Sequence, residues 1–501
     1  MSGRLMDPPA EPAADAEPPE PEAPPFALDL VLPPEAARRL SRHPALTAIR
    51  RGRARSQPVA LLWLDTADGA LAADHLMAEQ VGAGPTRLIR LRPEPDARTW
   101  PGQPDTDAPG EPPEGLAAVA SFRGRRSVTP CADGVSVELV SGQIRAVPAD
   151  LLVARLRLAG PAQAVFALAR ALAEDLPVLP ATASLAEIGR ALAAQEPPRP
   201  RRSGPALLGE AADAGAAVAS AIGHLGLAML HQREGALAGT EPEPVHQMRV
   251  ALRRLRAILR LFRDCTGAPA LLRLEGELKA LAGRLGPARD WDVFLAGIGA
   301  EVPAAVGEDA RLVPLLRKAR AAREEAYDGL RDALGEPEFR LLALDIAEAA
   351  ARPEAWRAAA PAADTALHGL GAALLERRWR KLRKRGRGMG KLDLAAFHAL
   401  RIEAKRLRYA AELFAPHWPG KATRRFLRRL ARLQDAMGLA NDAEVARGLI
   451  GGLHGKWPGR EWAGGLFDGW CLARVATARE KSLSCFAKLE KCKPFWRGRG
   501  G

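Results

Sequence analysis

HQMRVALRRLR at residues 246–256 returns as HALRIEAKRLR at residues 398–408, and the correspondence continues without a gap. His246, Arg249, Arg254, Leu255, Arg256, Leu261 and Phe262 recur as His398, Arg401, Arg406, Leu407, Arg408, Leu413 and Phe414, each 152 positions later. Arg253 becomes Lys405. The same offset maps LKALAGRLGPARDWDV (278–293) onto LARLQDAMGLANDAEV (430–445), placing Gly286 on Gly438 and Asp290 on Asp442. An ungapped repeat of this length specifies the same local structure twice. Leu and Ala recur at helical spacing, and Pro314, Pro361 and Pro416 sit where helices start or stop. The chain from residue 206 to 492 therefore reads as an all-α, duplicated helical bundle with pseudo-two-fold symmetry, its repeats spanning about 206–345 and 362–492.

At about 100° per residue, His246, Arg249, Arg253, Arg256 and Arg260 fall within a stripe of roughly 80°, with Met248, Leu252, Leu255, Ile258, Leu259 and Phe262 opposite. His398, Arg401, Lys405 and Arg408 make the same stripe in the second copy, backed by Leu400, Leu407 and Phe414. Like charges three and four residues apart repel, and a solvated helix face ordinarily mixes signs to avoid this. The first copy has no acid between His246 and Arg263. A stripe of this kind, present twice, fits an extended anion: guanidinium offers forked donors to phosphate oxygens and lysine a mobile point charge. The histidines read as further donors, not as bases. Two other basic runs, RRWRKLRKRGRGMGK (377–391) and KATRRFLRRLAR (421–432), also lack acids but lack the repeated order.

A net charge of +14 agrees, since it implies a polyanionic partner. Five cysteines without a CxxC pair indicate neither a disulfide framework nor a zinc site, and no metal or cofactor is expected. No secretory signal and no spanning segment is read, so the expectation is a cytoplasmic protein with no membrane partner.

The first part of the chain has another texture. Residues 1–25, rich in Pro, Glu and Ala, read as a disordered tail. From residue 26 to 194, FALDLVL, PVALLWLDT, TRLIRLR, GVSVELVSG and LLVARLRLA are short apolar runs bounded by turn residues, read as strands. Helical patterns near 34–42 and 162–174 make this an α+β domain, and QEPPRPRRSGP (195–205) reads as a linker.

The spaced pattern His246-x-x-Arg249-Val250-x-x-Arg253-Arg254-Leu255-Arg256, followed by Leu285-Gly286-x-x-Arg289-Asp290-x-Asp292-Val293, resembles a CHAD domain. HALRIEAKRLRYAAELF with LARLQDAMGLANDAEV resembles that family's second repeat. The resemblance implies two bundles around a basic pore that binds inorganic polyphosphate. It places the polyphosphate-binding positions on His246, Arg249, Arg253, Arg256, His398, Arg401, Lys405 and Arg408, with Arg254, Arg406, Lys279 and Arg289 as further candidates. Asn441 and Ala436 stand where the first repeat has Arg289 and Arg284, so the pore is expected to be more basic on one side.

Residues 26–192 resemble in outline a CYTH domain, the triphosphate tunnel that often precedes a CHAD domain. LDLVLPPEAARRLSRHPAL matches its opening strand and helix, and LLWLDTADGAL its Asp-Thr segment. The family's opening Glu-x-Glu-x-Lys signature falls on Pro25, Ala27 and Asp29, and its later acidic strand on LLVARLRLAG. Arginines expected after the Asp-Thr segment fall near Glu79 and Val81. The tunnel's hydrolysis needs carboxylates to hold a divalent metal, so a degenerate, non-catalytic antiparallel β-tunnel is expected. Its basics Arg87, Arg90, Arg92, Arg123, Arg125 and Arg126 read mainly as surface charge. The functional expectation is a polyphosphate-binding protein at cytoplasmic polyphosphate granules, with granule proteins as further partners. The rivals are a nucleic-acid-binding helical protein and a residual inorganic triphosphatase. With only two tyrosines, no basic segment that interleaves aromatics as a single-strand stacking platform needs, and no helix-turn-helix or zinc-finger pattern, the nucleic-acid reading is the weaker.

Overall fold

The computed structural model describes residues 25–91, 100–104, 106–147, 149–196, 204, 208, 211–307 and 309–497. Residues 1–24, which hold nearly all of the expected tail, Arg92, and most of the expected linker lie outside the described residues.

The apolar runs form strands because their alternating residues face a shared interior. The described residues form nine strands: β1 (Ala27–Leu32), β2 (Arg55–Asp65), β3 (Leu76–Val81), β4 (Thr86–Arg90), β5 (Thr106–Asp107), β6 (Ala117–Pro130), β7 (Ser136–Arg145), β8 (Asp150–Ala159) and β9 (Leu179–Pro180). They pair antiparallel in one sheet, ordered β5-β4-β3-β2-β6-β7-β8-β1-β9. Where β6 and β7 cross, Gly124 and Gly142 lie backbone to backbone, and a Cβ on either would collide with the facing strand. Helices of ten residues or more are numbered here. On one side of the sheet, α1 (Ala162–Asp175) buries Val165, Phe166 and Leu172 against Leu28, Leu30, Leu156 and Leu158. On the other, α2 (Leu185–Ala194) starts from a Ser184–Glu187 capping box and covers Trp63, Phe122 and Ile144.

The helical half follows: α3 (Ala214–His231), α4 (Glu243–Leu261), α5 (Pro269–Arg284), α6 (Gly286–Ala296), α7 (Val313–Gly335), α8 (Pro337–Ala351), α9 (Leu367–Gly386), α10 (Leu394–Phe414), α11 (Lys421–Gly451) and α12 (Arg460–Glu490). The chain is thus α+β and then all-α. By length and composition α3 is apolar enough to cross a membrane, contrary to the sequence expectation that no such segment exists. It is a core helix, with 83% of its most apolar window buried, packed on α4 and α8.

The two copies are not identical in form. The segment that is broken into α5 and α6 in the first copy runs unbroken through α11 in the second. Pro287, two residues into α6, accounts for the break: proline has no N–H to continue a helix, and the second copy has Leu439 at that position. Equivalent positions nonetheless meet. Phe262 and Phe414 contact each other with ring centroids 6.0 Å apart, where the ends of α4 and α10 pack together.

The two halves share a core. Leu344 and Ala347 of α8 are buried in the cluster of β1, β8 and α1, while Leu179 of β9 joins the helical core. Arg340 donates to the carbonyls of Ala173 (2.7 Å) and Glu174 (3.1 Å), capping the C-terminus of α1. Arg170 of α1 pairs with Asp345 and, at 2.6 Å, with Glu348.

Candidate functional site

Val245, Met248, Leu252, Leu255 and Ile258 bury one face of α4, and Phe397, Leu400, Ala404 and Leu407 bury one face of α10. Burying these faces fixes the direction of the opposite residues. Arg249 and Arg253 from α4 and Arg401 and Lys405 from α10 come close enough that each copy's charges act on the other's. Lys405 is held down by burial first, then by Arg401, Arg253 and Arg249, and reaches about 7 from its ordinary 10.5. Arg401 is lowered by burial, with Asp442 opposing and Arg253 adding to the effect. Arg249 is lowered by burial, opposed by Asp290, with Arg253 and Arg289 adding to the effect. His246 falls below 6.5 through burial and the charge of Arg289, which leaves it neutral at neutral pH.

These cations are largely unneutralised. The Nε atoms of Arg249, Arg253 and Arg401 are buried and without a hydrogen-bond partner. Arg249 has one bond, from Nη1 to the Ala282 carbonyl at 3.1 Å. Arg253, Arg401 and Lys405 have no ion pair or hydrogen bond among the described residues. Half-buried donors lacking acceptors are unfavourable, and an anion with several oxygens would satisfy them together.

The open stripe is narrower than the sequence reading. Arg256 is bonded to Glu275 at 3.2 Å, a carboxylate shared with Arg260 at 2.7 Å and Arg263 at 3.3 Å. Arg408 pairs with Glu412 at 2.6 Å and donates to Gln434 at 3.0 Å. Arg254 reaches the same Glu412 across the two copies at 3.4 Å, and Arg406 pairs with the buried Glu403 at 2.7 Å. These four arginines are thus engaged with carboxylates, unlike Arg249, Arg253, Arg401 and Lys405. Arg289 is half-buried beside His246, Arg249 and Asp290. Lys279 and His398 are exposed, the latter on the rim of a cavity of about 270 Å³ that Arg401 also lines.

The sequence reading did not assign Asp290 and Asp442 to the site. Asp290 is raised by burial and by Asp442, so these equivalent carboxylates face one another beside the cations. Their shared register in both copies was the available signal. A cavity of about 100 Å³ between α6 and α11 is lined by both. A larger one, about 490 Å³, lies away from this centre around Trp457, and its Arg447 is already paired with Asp468 at 2.6 Å.

In the sheet domain, a cavity of about 200 Å³ is lined by Asp29, Glu79, Asp107, Glu138, Arg87, Arg155 and Arg157. The signature positions Pro25 and Ala27 carry no acid, but β3, β5 and β7 bring Glu79, Asp107 and Glu138 to this cavity beside Asp29 of β1. Each is matched, however: Asp29 to Arg157 at 2.7 Å, Glu79 and Asp107 to Arg87 at 2.8 and 2.9 Å, and Glu138 to Arg126 at 2.6 Å. Among the described residues no three carboxylate, histidine or cysteine side chains converge as a metal site.

The helical half is thus a duplicated all-α domain whose two copies bring cations without ion-pair partners to one centre. Residues 220–451 of this chain match the CHAD domain family. Its fold is similar to the crystal structure of the CHAD domain from the plant Ricinus communis, at 28% identity and TM-score 0.51, covering 59% of this chain and 98% of that one. It is also similar to PptA from Streptomyces chartreusis, at 18% identity, TM-score 0.43, and 55% and 99% coverage. An adenylyl cyclase from Hippeastrum, described as having a dominant triphosphatase activity, matches at 16% identity, TM-score 0.25, and 33% and 94% coverage. No curated protein gives a significant match. The antiparallel sheet ahead of the CHAD domain fits the CYTH-like outline read from the sequence.

Proposed function

We propose that the protein binds inorganic polyphosphate at the cluster of Arg249, Arg253, Arg401 and Lys405, with His246 and Arg289 at its edge. The observation that carries this reading is the convergence of unneutralised cations from both copies. Polyphosphate is the ligand reported for the CHAD family, and a repeating phosphate chain supplies acceptors at several points at once. The sheet domain is read as non-catalytic because arginines already occupy the acids of its cavity, so release of phosphate from triphosphate with magnesium or manganese would contradict that part. Polyphosphate granules in the cytoplasm are the proposed location, with granule proteins as neighbours.

Competition binding separates this from the nucleic-acid alternative. Long-chain polyphosphate is expected to displace duplex DNA at a far lower phosphate concentration, and tighter binding of DNA would sink the proposal. If several phosphates are neutralised at once, log affinity falls linearly with log salt between about 50 and 200 mM, by analogy with nucleic acids. A flat response would indicate a small-anion site.

Lys405 makes binding depend on pH. Between its native value of about 7 and its ordinary 10.5 the unfolded chain binds more protons than the folded one, so this residue makes stability rise with pH across that window. Below it, the destabilisation from the buried charge is complete. A phosphate beside Lys405 restores its proton, so binding takes up protons above pH 7 and affinity falls as pH rises. Calorimetry in buffers of different ionisation enthalpy reads the uptake. Lys405→Arg is expected to abolish most of it, and unchanged uptake would show that another group is responsible.

A further inference from the structure

The helix α11 begins with a basic run that the cluster does not use. Lys421, Arg425, Arg428 and Arg432 fall within roughly 60° around the helix axis, and Arg424 extends the same side. All five are exposed, and none has a carboxylate partner among the described residues. No acid stands in the first turn, where the helix dipole already disfavours cations. Arg429 lies off this stripe and has a structural use, donating to the Lys488 carbonyl and, at 3.1 Å, to the Cys492 sulfur.

Two further facts separate the stripe from an ordinary solvated face. Phe426 is fully buried, with ring centroids 5.6 Å from Trp379 and 5.1 Å from Trp496, so the helix that presents the cations is rigidly held. The stripe ends at Arg432, and the same side of the helix continues through the exposed Asp435 to Asp442 beside the cluster. Arg424, Arg428 and Asp442 fall within roughly 40° of one another around the axis, and Asp442 is a carboxylate that acts on Lys405 and Arg401. From Arg425 to Asp442 is about 25 Å of helix.

We propose that this stripe is a second polyanion contact, a track along which a long polyphosphate chain continues outward from the central cluster. The inference rests on the polyphosphate reading of that cluster. Phosphate polymer is favoured over single-stranded nucleic acid because Phe426, Trp379, Phe495 and Trp496 are all buried, leaving no ring for base stacking. No large apolar side chain is exposed between residues 421 and 432 to anchor the face in a lipid surface.

The test uses the full chain with Arg424→Gln, Arg425→Gln, Arg428→Gln and Arg432→Gln combined, since glutamine keeps helix propensity. The matching lysine quadruple is the control for charge, and circular dichroism the control for folding. The glutamine variant is expected to bind long-chain polyphosphate roughly tenfold more weakly, with a shallower salt slope, while tripolyphosphate binding stays unchanged. The lysine variant should retain most long-chain affinity. Long-chain affinity and slope equal to the parent's would overturn the track. So would equal losses for short and long chains, or a loss confined to DNA or RNA. Arg401→Ala tests the central reading separately: if it keeps both ligands while the glutamine variant loses the long chain, the cluster reading falls and the stripe stands.

Discussion

Converting Arg253 and Lys405 to glutamate in the full chain is expected to lower affinity for long-chain polyphosphate by about a thousandfold, with no loss of thermal stability. A charge-assisted bond to phosphate contributes roughly 1.5–3 kcal/mol, and each factor of ten in affinity is about 1.4 kcal/mol, so two such losses give about two to four decades. Repulsion from the new carboxylates adds to this. Stability should move the other way or not at all. These two residues crowd Arg249 and Arg401, whose nearest carboxylates Asp442 and Asp290 oppose only part of the effect, and a glutamate at either position brings those arginines a closer one. A site kept for binding at the expense of stability behaves in this way. Isothermal titration and a melting curve on the same sample decide the matter. Affinity within tenfold of the parent would remove Arg253 and Lys405 from the site, and a collapsed melting transition would mean they hold the fold.

The contrast with Arg256 and Arg408 shows what the sequence made legible. Periodicity put all six basic residues on equivalent stripes, and the structure does bring the two stripes together. The difference lies in partners. Glu412, which neutralises Arg408, is four residues further along the same helix and was readable as an i,i+4 pair. Glu275, which gathers Arg256, Arg260 and Arg263, comes from α5, and no one-dimensional pattern connects it to α4. The bond from Arg254 to Glu412 depends on how one copy packs against the other.

The sheet domain repeats the lesson. Its strong apolar runs were read as strands, but β3 and the fourteen-residue β6 were not, because Gly124 and a run of arginines obscure the alternation in β6. Missing those strands hid the cavity. Glu79 and Glu138 meet Asp29 only through the register of the sheet, which a sequence does not display.

The shared core carries the second large effect. The repeated hydrophobic periodicity of the helical half, and the ordered basic stripes found only there, predict a half that folds by itself and binds polyphosphate about as well as the full chain does. The structure argues otherwise, because α8 belongs to both halves: Leu344 and Ala347 complete the core of the sheet domain, and Arg340 and Arg170 lock its polar edge. Without residues 26–194, that apolar face of α8 would meet water, and α8 packs on α3, the central helix of the first copy. Leu344→Asp in the full chain places an unpaired carboxylate where Leu344 is wholly buried. It is expected to lower the unfolding free energy by about 3–5 kcal/mol, against less than about 1 kcal/mol for an exposed control such as Leu472→Asp. Urea unfolding of the parent should then show one transition by both far-ultraviolet dichroism and tryptophan fluorescence, since one core links the two halves. A fragment of residues 206–497 should melt well below the full chain and bind the apolar dye ANS. If that fragment melts at the temperature of the full chain, or the parent unfolds in two separate steps, α8 is not a shared element and the sheet domain is only an appendage to the binding site.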